Sequence, residues 1–169
     1  MTTRGAPLRP VLTERELRDA FACFATGVAV VTTEEHGRPV GATINSFSSV
    51  SLDPPLVLFC LDRRLGALAA FEQARTYAVN VLHDGQEAVS ARFGRPGPDR
   101  FETGRWTPGR FGAPVLLDAM ATFELGRHAA YDGGDHVIFV CRVLDAAWSP
   151  EHDPLLFFQG RYRSVHVPD

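Results

Sequence analysis

The sequence predicts a mainly β (α+β) fold: a small antiparallel barrel, closed or half-open, with a few helices outside it. Three observations carry this. β-branched and apolar runs of strand length dominate from residue 28 onward. A regular strand–helix–strand alternation is missing, which disfavours a doubly wound parallel sheet. Tyr131-Asp132-Gly133-Gly134 stands between the two longest β segments as a hairpin turn.

The elements follow in order. Residues 1–12 form a Pro-containing arm, and residues 13–169 form one domain, as 169 residues should. A chain of this size buries about two thirds of its unfolded surface, enough for a core without staples. Thr13-Glu14-Arg15-Glu16 fits a capping box, and Leu17, Phe21 and Phe24 recur at helical spacing, so residues 14–25 are expected to be an amphipathic helix. Gly27 ends it. Residues 28–33, 40–45 and 47–52 read as strands, with Asp53-Pro54-Pro55 breaking the run. The unbroken apolar run 56–61 is expected to be a strand buried on both faces. Residues 65–75 favour helix, 77–82 strand and 84–93 helix. Residues 94–114 contain five Gly and four Pro, a long loop expected to be functional or docked on a neighbour. Segments 119–130, 135–147 and 154–163 complete the β structure.

Composition narrows the function. All 17 basic residues are Arg, which removes Schiff-base chemistry, a pyridoxal-phosphate anchor and the P-loop lysine. The net charge is -3 and the Arg residues are scattered, so neither nucleic acid nor a membrane surface is an expected partner. No apolar run reaches the 18 or more residues of a membrane helix. The N-terminus has no apolar core of a secretory signal. Cys23, Cys60 and Cys141 are far apart in apolar surroundings and are expected to be small buried hydrophobes in a reducing cytoplasm.

Three constellations have chemical potential. Thr43, Asn45, Ser46, Ser48, Ser49 and Ser51 place six hydroxyl or amide groups in the eleven residues Gly41–Ser51. Such a run is either a solvated strand face or a cradle of short donors for a phosphate or a polar ring edge. Gly134-Asp135-His136 sets a histidine in a hairpin, either an ordinary surface residue or a group able to hydrogen-bond a carboxamide or supply a proton near pH 7. A metal pairing of His136 with His128 has no third ligand at a plausible spacing. In Gly160-Arg161-Tyr162-Arg163 the two Arg project to one strand face and Tyr162 to the other, as edge protection or as a ligand or dimer contact. No dinucleotide-binding G-x-G-x-x-G, nucleophile elbow or P-loop is present.

These stretches occur together in an order that resembles the flavin reductase family, the short-chain reductases of two-component flavin monooxygenases. The resemblance rests on residues 24–33, 41–57, Asn80-Val81-Leu82, Ser90-Ala91-Arg92-Phe93-Gly94, Gly134-Asp135-His136 and Gly160-Arg161-Tyr162. It implies a split β-barrel, a Greek-key antiparallel FMN-binding barrel found as a homodimer. It implies FMN or FAD as the flavin, and NADH or NADPH as hydride donor to flavin N5. Reduced flavin then diffuses to a flavin-dependent monooxygenase. It also implies that Thr43, Ile44, Asn45, Ser46, Ser48 and Ser49 hold the flavin, that Cys60, Leu61 and Asp62 follow it along the next strand, and that Ala91 and Arg92 reach its phosphate end. His136 matches the position facing the nicotinamide, and Tyr162 lies in the motif closing the pocket. Many relatives place Lys and Ser after the 56–61 strand. Here Arg63-Arg64-Leu65-Gly66-Ala67 stands instead, with Arg63 expected to supply the charge. Alternatives are a pyridoxamine-phosphate-oxidase-like FMN enzyme and a non-catalytic flavin-binding module of the same fold.

Overall fold

A computed structural model describes residues 12–165. The proposed arm therefore lies almost wholly outside the described residues. Helix α1 (Glu14–Phe21) starts on the expected capping box: the Thr13 hydroxyl accepts from the Glu16 amide, and the Glu16 carboxylate accepts from the Thr13 amide. It ends four residues short of the expected boundary. Among the described residues its apolar stripe is left largely open: Phe21, and Phe24 just beyond the helix, are 72% and 77% exposed.

Strands β1 (Thr26–Gly27), β2 (Ala29–Glu35), β3 (Arg38–Ile44), β4 (Ser48–Leu52), β5 (Pro55–Asp62) and β6 (Thr76–Val81) follow, with α2 (Leu68–Gln73) between the last two. Helix α3 (Glu87–Phe93) begins after a 3-10 turn. The Gly- and Pro-rich stretch is not a bare loop. It contains a second 3-10 turn and a small hairpin of β7 (Trp106–Pro108) with β8 (Pro114–Leu116). Phe101 and Trp106 anchor it against α3. Strands β9 (Ala121–Gly133) and β10 (His136–Trp148) make the expected long hairpin. The segment expected as one strand at 154–163 is instead a hairpin of β11 (Leu156–Phe158) and β12 (Arg161–Arg163). Gln159 and Gly160, both at positive φ, turn the chain between them.

Seven strands form one antiparallel sheet in the order β3-β2-β6-β9-β10-β5-β4. The sheet is strongly curled, because residues from its distant strands share one core. Val31 of β2, Ile44 of β3, Phe59 of β5, Tyr77 of β6, Leu125 of β9 and Phe139 of β10 belong to a single buried cluster. The seam between β3 and the β4–β5 end is bridged by Ser46, whose hydroxyl accepts from the Cys60 amide (2.9 Å) and donates to the Cys60 carbonyl (3.1 Å). The result is the expected half-open barrel. A second cluster outside β2, built on Val28, Val30, Leu82, Val89, Phe93 and Leu155, docks α3 and the β11–β12 hairpin.

Two expectations are corrected here. Strand β5 is not buried on both faces. Val57, Phe59 and Leu61 point into the core, while Leu56, Leu58 and Cys60 are only half-buried on the outside. Among the cysteines only Cys141 is buried, Cys60 is intermediate and Cys23 is exposed.

Candidate functional site

Alternation along a strand sends successive side chains to opposite faces. Ile44 and Leu61 are therefore core residues, and only their backbone is available to a ligand. The other face of β5 is different. In the β10–β5 ladder Asp62 lies opposite His136, Cys60 opposite Ile138 and Leu58 opposite Val140. Ser48 lies opposite Leu58 on the other side, and the Ser46 clasp reaches Cys60. Five of the expected site residues thus meet on one outward wall: Ser46, Ser48, Cys60, Asp62 and His136. Ser48 and Ser49 are exposed, and the Ser48 hydroxyl donates to the Ser49 carbonyl at 3.2 Å.

Charge on this wall is held in place by short local contacts. His136 Nδ1 lies 2.7 Å from Asp135 Oδ1. With Asp135 ionised, Nδ1 carries the donated proton, and Nε2 of the neutral ring is left as an acceptor. The same contact holds the Asp135 carboxyl below its usual range. Asp62 accepts from the Arg64 guanidinium (2.7 Å from Nη2) and the Arg64 amide (2.7 Å), which hold its carboxyl well below the ordinary value. Burial pushes the Cys60 thiol up, with the Ser46 hydrogen bond pulling the other way.

Asp62 and Arg64 also open onto a groove of about 1390 Å³ between the turn after β5, the first half of β3 and the 94–102 segment. That exceeds the ~300–1,000 Å³ of most small-molecule pockets. Gly41 and Gly66 shape it. A Cβ on Gly41 would stand 2.7 Å from the Phe93 ring, so α3 packs on β3 because there is none, while nothing covers Gly66 within 4 Å. Arg100 donates to the Gly41 carbonyl at 2.9 Å and ties the segment to β3.

The remaining expected residues brace this geometry. Thr43 donates to the Ser90 carbonyl (2.6 Å) and Tyr162 shares a 2.8 Å hydrogen bond with the Ser90 hydroxyl, so both fix α3. Ala91 is half-buried on that helix, and Arg92 donates to the Pro98 carbonyl. Arg63 departs from its expected role. It donates to the Gly134 carbonyl (2.9 Å), pairs with Asp132 and does not line the groove. It staples β5 to the hairpin that presents His136. The groove's cations are Arg38, Arg64, Arg95 and Arg100, none of which the motifs singled out. The adjacent Arg-rich and Gly/Pro-rich stretches were the available signal. Asn45 lies apart from the wall, in a hollow of about 490 Å³ with Phe21, Phe24 and Phe157, where the Thr26 hydroxyl is buried without a partner among the described residues.

The chain thus combines a half-open antiparallel barrel with a half-covered apolar outer wall, a histidine at its rim and an arginine-lined groove. A family model described as the flavin reductase like domain matches residues 21–166, and the chain belongs to that family. It is 37% identical over 169 residues to HsaB of Rhodococcus jostii, the reductase subunit of a flavin-dependent monooxygenase, covering all of this chain and 86% of that protein. It is 44% identical over 148 residues to the FMN reductase (NADH) SmoA of Agrobacterium fabrum, covering 88% of this chain and 84% of that one. The solved structure of the Streptomyces globisporus NADH:FAD oxidoreductase SgcE6, in complex with NAD and FAD fragments, superposes with a TM-score of 0.87 at 41% identity, over 92% of this chain and 94% of that one.

Proposed function

We propose that this chain is an NAD(P)H:flavin oxidoreductase that reduces FMN or FAD and releases the reduced flavin to a separate flavin-dependent monooxygenase. The observation that carries this is the single outward wall of β4, β5 and β10, where Ser46, Ser48, Cys60, Asp62 and His136 converge and run into the groove. The wall fits a flavin: half-buried Leu58, Cys60 and Ile138 suit a flat ring, and the groove beyond Asp62 suits a phosphate-bearing tail. When bound, the flavin supplies the two-electron acceptor for a hydride from the dihydronicotinamide.

The chain's own residues position the two reactants. The apolar wall excludes water from one ring face. Ser46 clasps the Cys60 backbone and ties the wall to the segment after β3. Ser48 and Ser49 offer hydroxyls at its edge. His136 Nε2 would accept a hydrogen bond from the nicotinamide carboxamide, with Asp135 at Nδ1 orienting the ring. Arg64 and Gly66, which line the groove, would hold the phosphate end, with Thr43, Tyr162 and Arg92 bracing α3 behind it. No nucleophile or strong base is required, consistent with a chain that has no lysine.

The active form in this reading is a homodimer. Leu52 and Trp148 are 94% and 76% exposed, and Val50 and Leu144 lie on the same strands β4 and β10, an apolar surface that a second copy would cover. A solution mass twice the 18.5 kDa of one chain is expected, and a monomer at micromolar concentration would remove this part. Among the described residues no helix is long and apolar enough to cross a membrane, and free thiols fit a reducing cytoplasm.

The test is NADH and NADPH oxidation by the purified chain with FMN, FAD or riboflavin added. Turnover with at least one flavin is expected. Absence of turnover with all three would overturn the assignment.

A further inference from the structure

We propose that Arg63 is a positioning residue for the nicotinamide: its guanidinium sets the turn that presents His136, and its removal weakens the use of NADH and not of flavin. This rests on the flavin reductase reading above and deepens its account of the nicotinamide end.

Strand β5 stops where the β9–β10 hairpin turns. Asp62 opposite His136 is the last pair of the β10–β5 ladder, and across the hairpin His136 is paired with Gly133. Past that pair the ladder ends, and Arg63 takes over. Its amide donates to the Asp135 carbonyl at 2.9 Å, and its Nε donates to the Gly134 carbonyl at 2.9 Å. Its Nη2 pairs with the Asp132 carboxylate. One residue thus holds three of the four residues 132–135. Arg63 does not line the groove, and Arg64 cannot replace it, because the Arg64 amide and guanidinium both turn to Asp62.

The turn needs such a hold. Gly133 and Gly134 stand in sequence, and glycine has the widest backbone freedom of any residue. Gly134 sits at φ +75°, and a Cβ there would meet nothing within 4 Å. Asp135 follows directly, and its carboxylate lies 2.7 Å from His136 Nδ1. The contacts form one path: guanidinium to Gly134, amide to Asp135, carboxylate to imidazole. A shift of the Asp135 backbone therefore rotates the ring and moves Nε2. The His136 side chain is 41% exposed, so solvent on its open side does not fix that angle. The amide bond survives any side-chain change at position 63, while the guanidinium bonds do not. A planar guanidinium reaches a carbonyl and a carboxylate at once, which fits it to this role.

The test is steady-state kinetics with NADH and flavin varied in turn, with urea unfolding of each protein. The proteins are wild type, Arg63→Ala, Asp132→Ala, His136→Ala and the Arg63→Ala, His136→Ala double variant. Arg63→Ala is expected to raise the KM for NADH about fivefold, with kcat and the KM for flavin within about twofold and the urea midpoint unchanged. In the His136→Ala background the same substitution is expected to add nothing, because a group acting through the imidazole has no effect once the imidazole is gone. Asp132→Ala is expected to raise the KM for NADH in the same direction, by less. An unchanged KM for NADH in Arg63→Ala, or effects of Arg63→Ala and His136→Ala that multiply, would overturn the proposal. So would a fall in the KM for NADH in Asp132→Ala, the mark of a plain charge effect on an anionic dinucleotide. An equal rise in both KM values in Arg63→Ala, the mark of a direct phosphate contact, would overturn it too. Wild-type turnover is read in the same assays, so a silent Arg63→Ala removes this proposal alone. Absence of wild-type turnover with every flavin would remove the flavin reductase reading as well.

Discussion

Strands β5 and β10 face two environments at once. Inward, Val57, Phe59, Leu61, Val137, Phe139 and Cys141 are all buried, and the Phe59 ring stacks on Phe139 at 5.1 Å with Tyr77 edge-on at 5.5 Å. Outward, the same strands present Leu58, Cys60, Ile138 and Val140 half-covered, and the ladder ends in Asp62 and His136. The inner face is closed to solvent and tolerates little change in volume. The outer face has room for another molecule. Because one backbone carries both, the packing inside sets the spacing of the chemical groups outside, and the outer groups can vary without endangering the fold.

The strongest challenge to that division is Phe59→Ala. Removing a fully buried aromatic from a stacked trio is expected to cost about 3–5 kcal/mol, a large part of the roughly 5–15 kcal/mol that holds a domain together. Urea unfolding should show the loss, and flavin binding should fall with the folded fraction. A variant as stable as its parent would show that the inner face does not set the outer one.

His136→Ala probes the other side. Among the described residues the partly exposed imidazole bonds only to its exposed neighbour Asp135, so stability should stay within about 0.5 kcal/mol of the parent. The KM for NADH should rise about tenfold while the KM for flavin moves less. Equal shifts in both, or none, would return His136 to an ordinary rim residue.

How much of this was legible beforehand depended on the kind of signal. The capping box, the barrel class and the β9–β10 hairpin follow from local spacing, and local spacing is what a sequence displays. The run Leu56–Leu61 misled because both faces of β5 are apolar: one is closed into the core, the other is only half-covered, and composition does not distinguish them. The 154–163 segment misled because Gln159-Gly160 is a two-residue turn without the Asn-Gly or Asp-Gly pair that usually marks one. At the site, Ser46, Cys60, Asp62 and His136 were legible as motif members, but their meeting depends on strand register. Arg63 and Arg64 are adjacent and chemically identical. Only the hairpin acceptors Asp132 and Gly134 decide that the first is a staple and the second lines the groove.

The smallest effect sharpens the comparison through pH. Arg64 depresses the folded-state pKa of Asp62, so this pair's contribution is complete above the ordinary aspartate range near 4 and is lost as pH falls through the depressed value. Burial raises Cys141 to about 12, so folding favours its protonated form. That contribution is intact below the unfolded thiol value near 8.5 and declines as pH rises beyond it. Cys60 is shifted in the same direction. Urea midpoints should therefore be level from about pH 5 to 8, with an acid limb drawn from Asp62 and Asp135 on the outer wall and from the capping-box Glu16, and an alkaline limb drawn largely from the core. Asp62→Asn should flatten the acid limb alone, by little, since that carboxylate is open to solvent. Cys141→Ala should flatten the alkaline limb alone. If either substitution reshaped both limbs, the two faces would be coupled through more than their shared backbone.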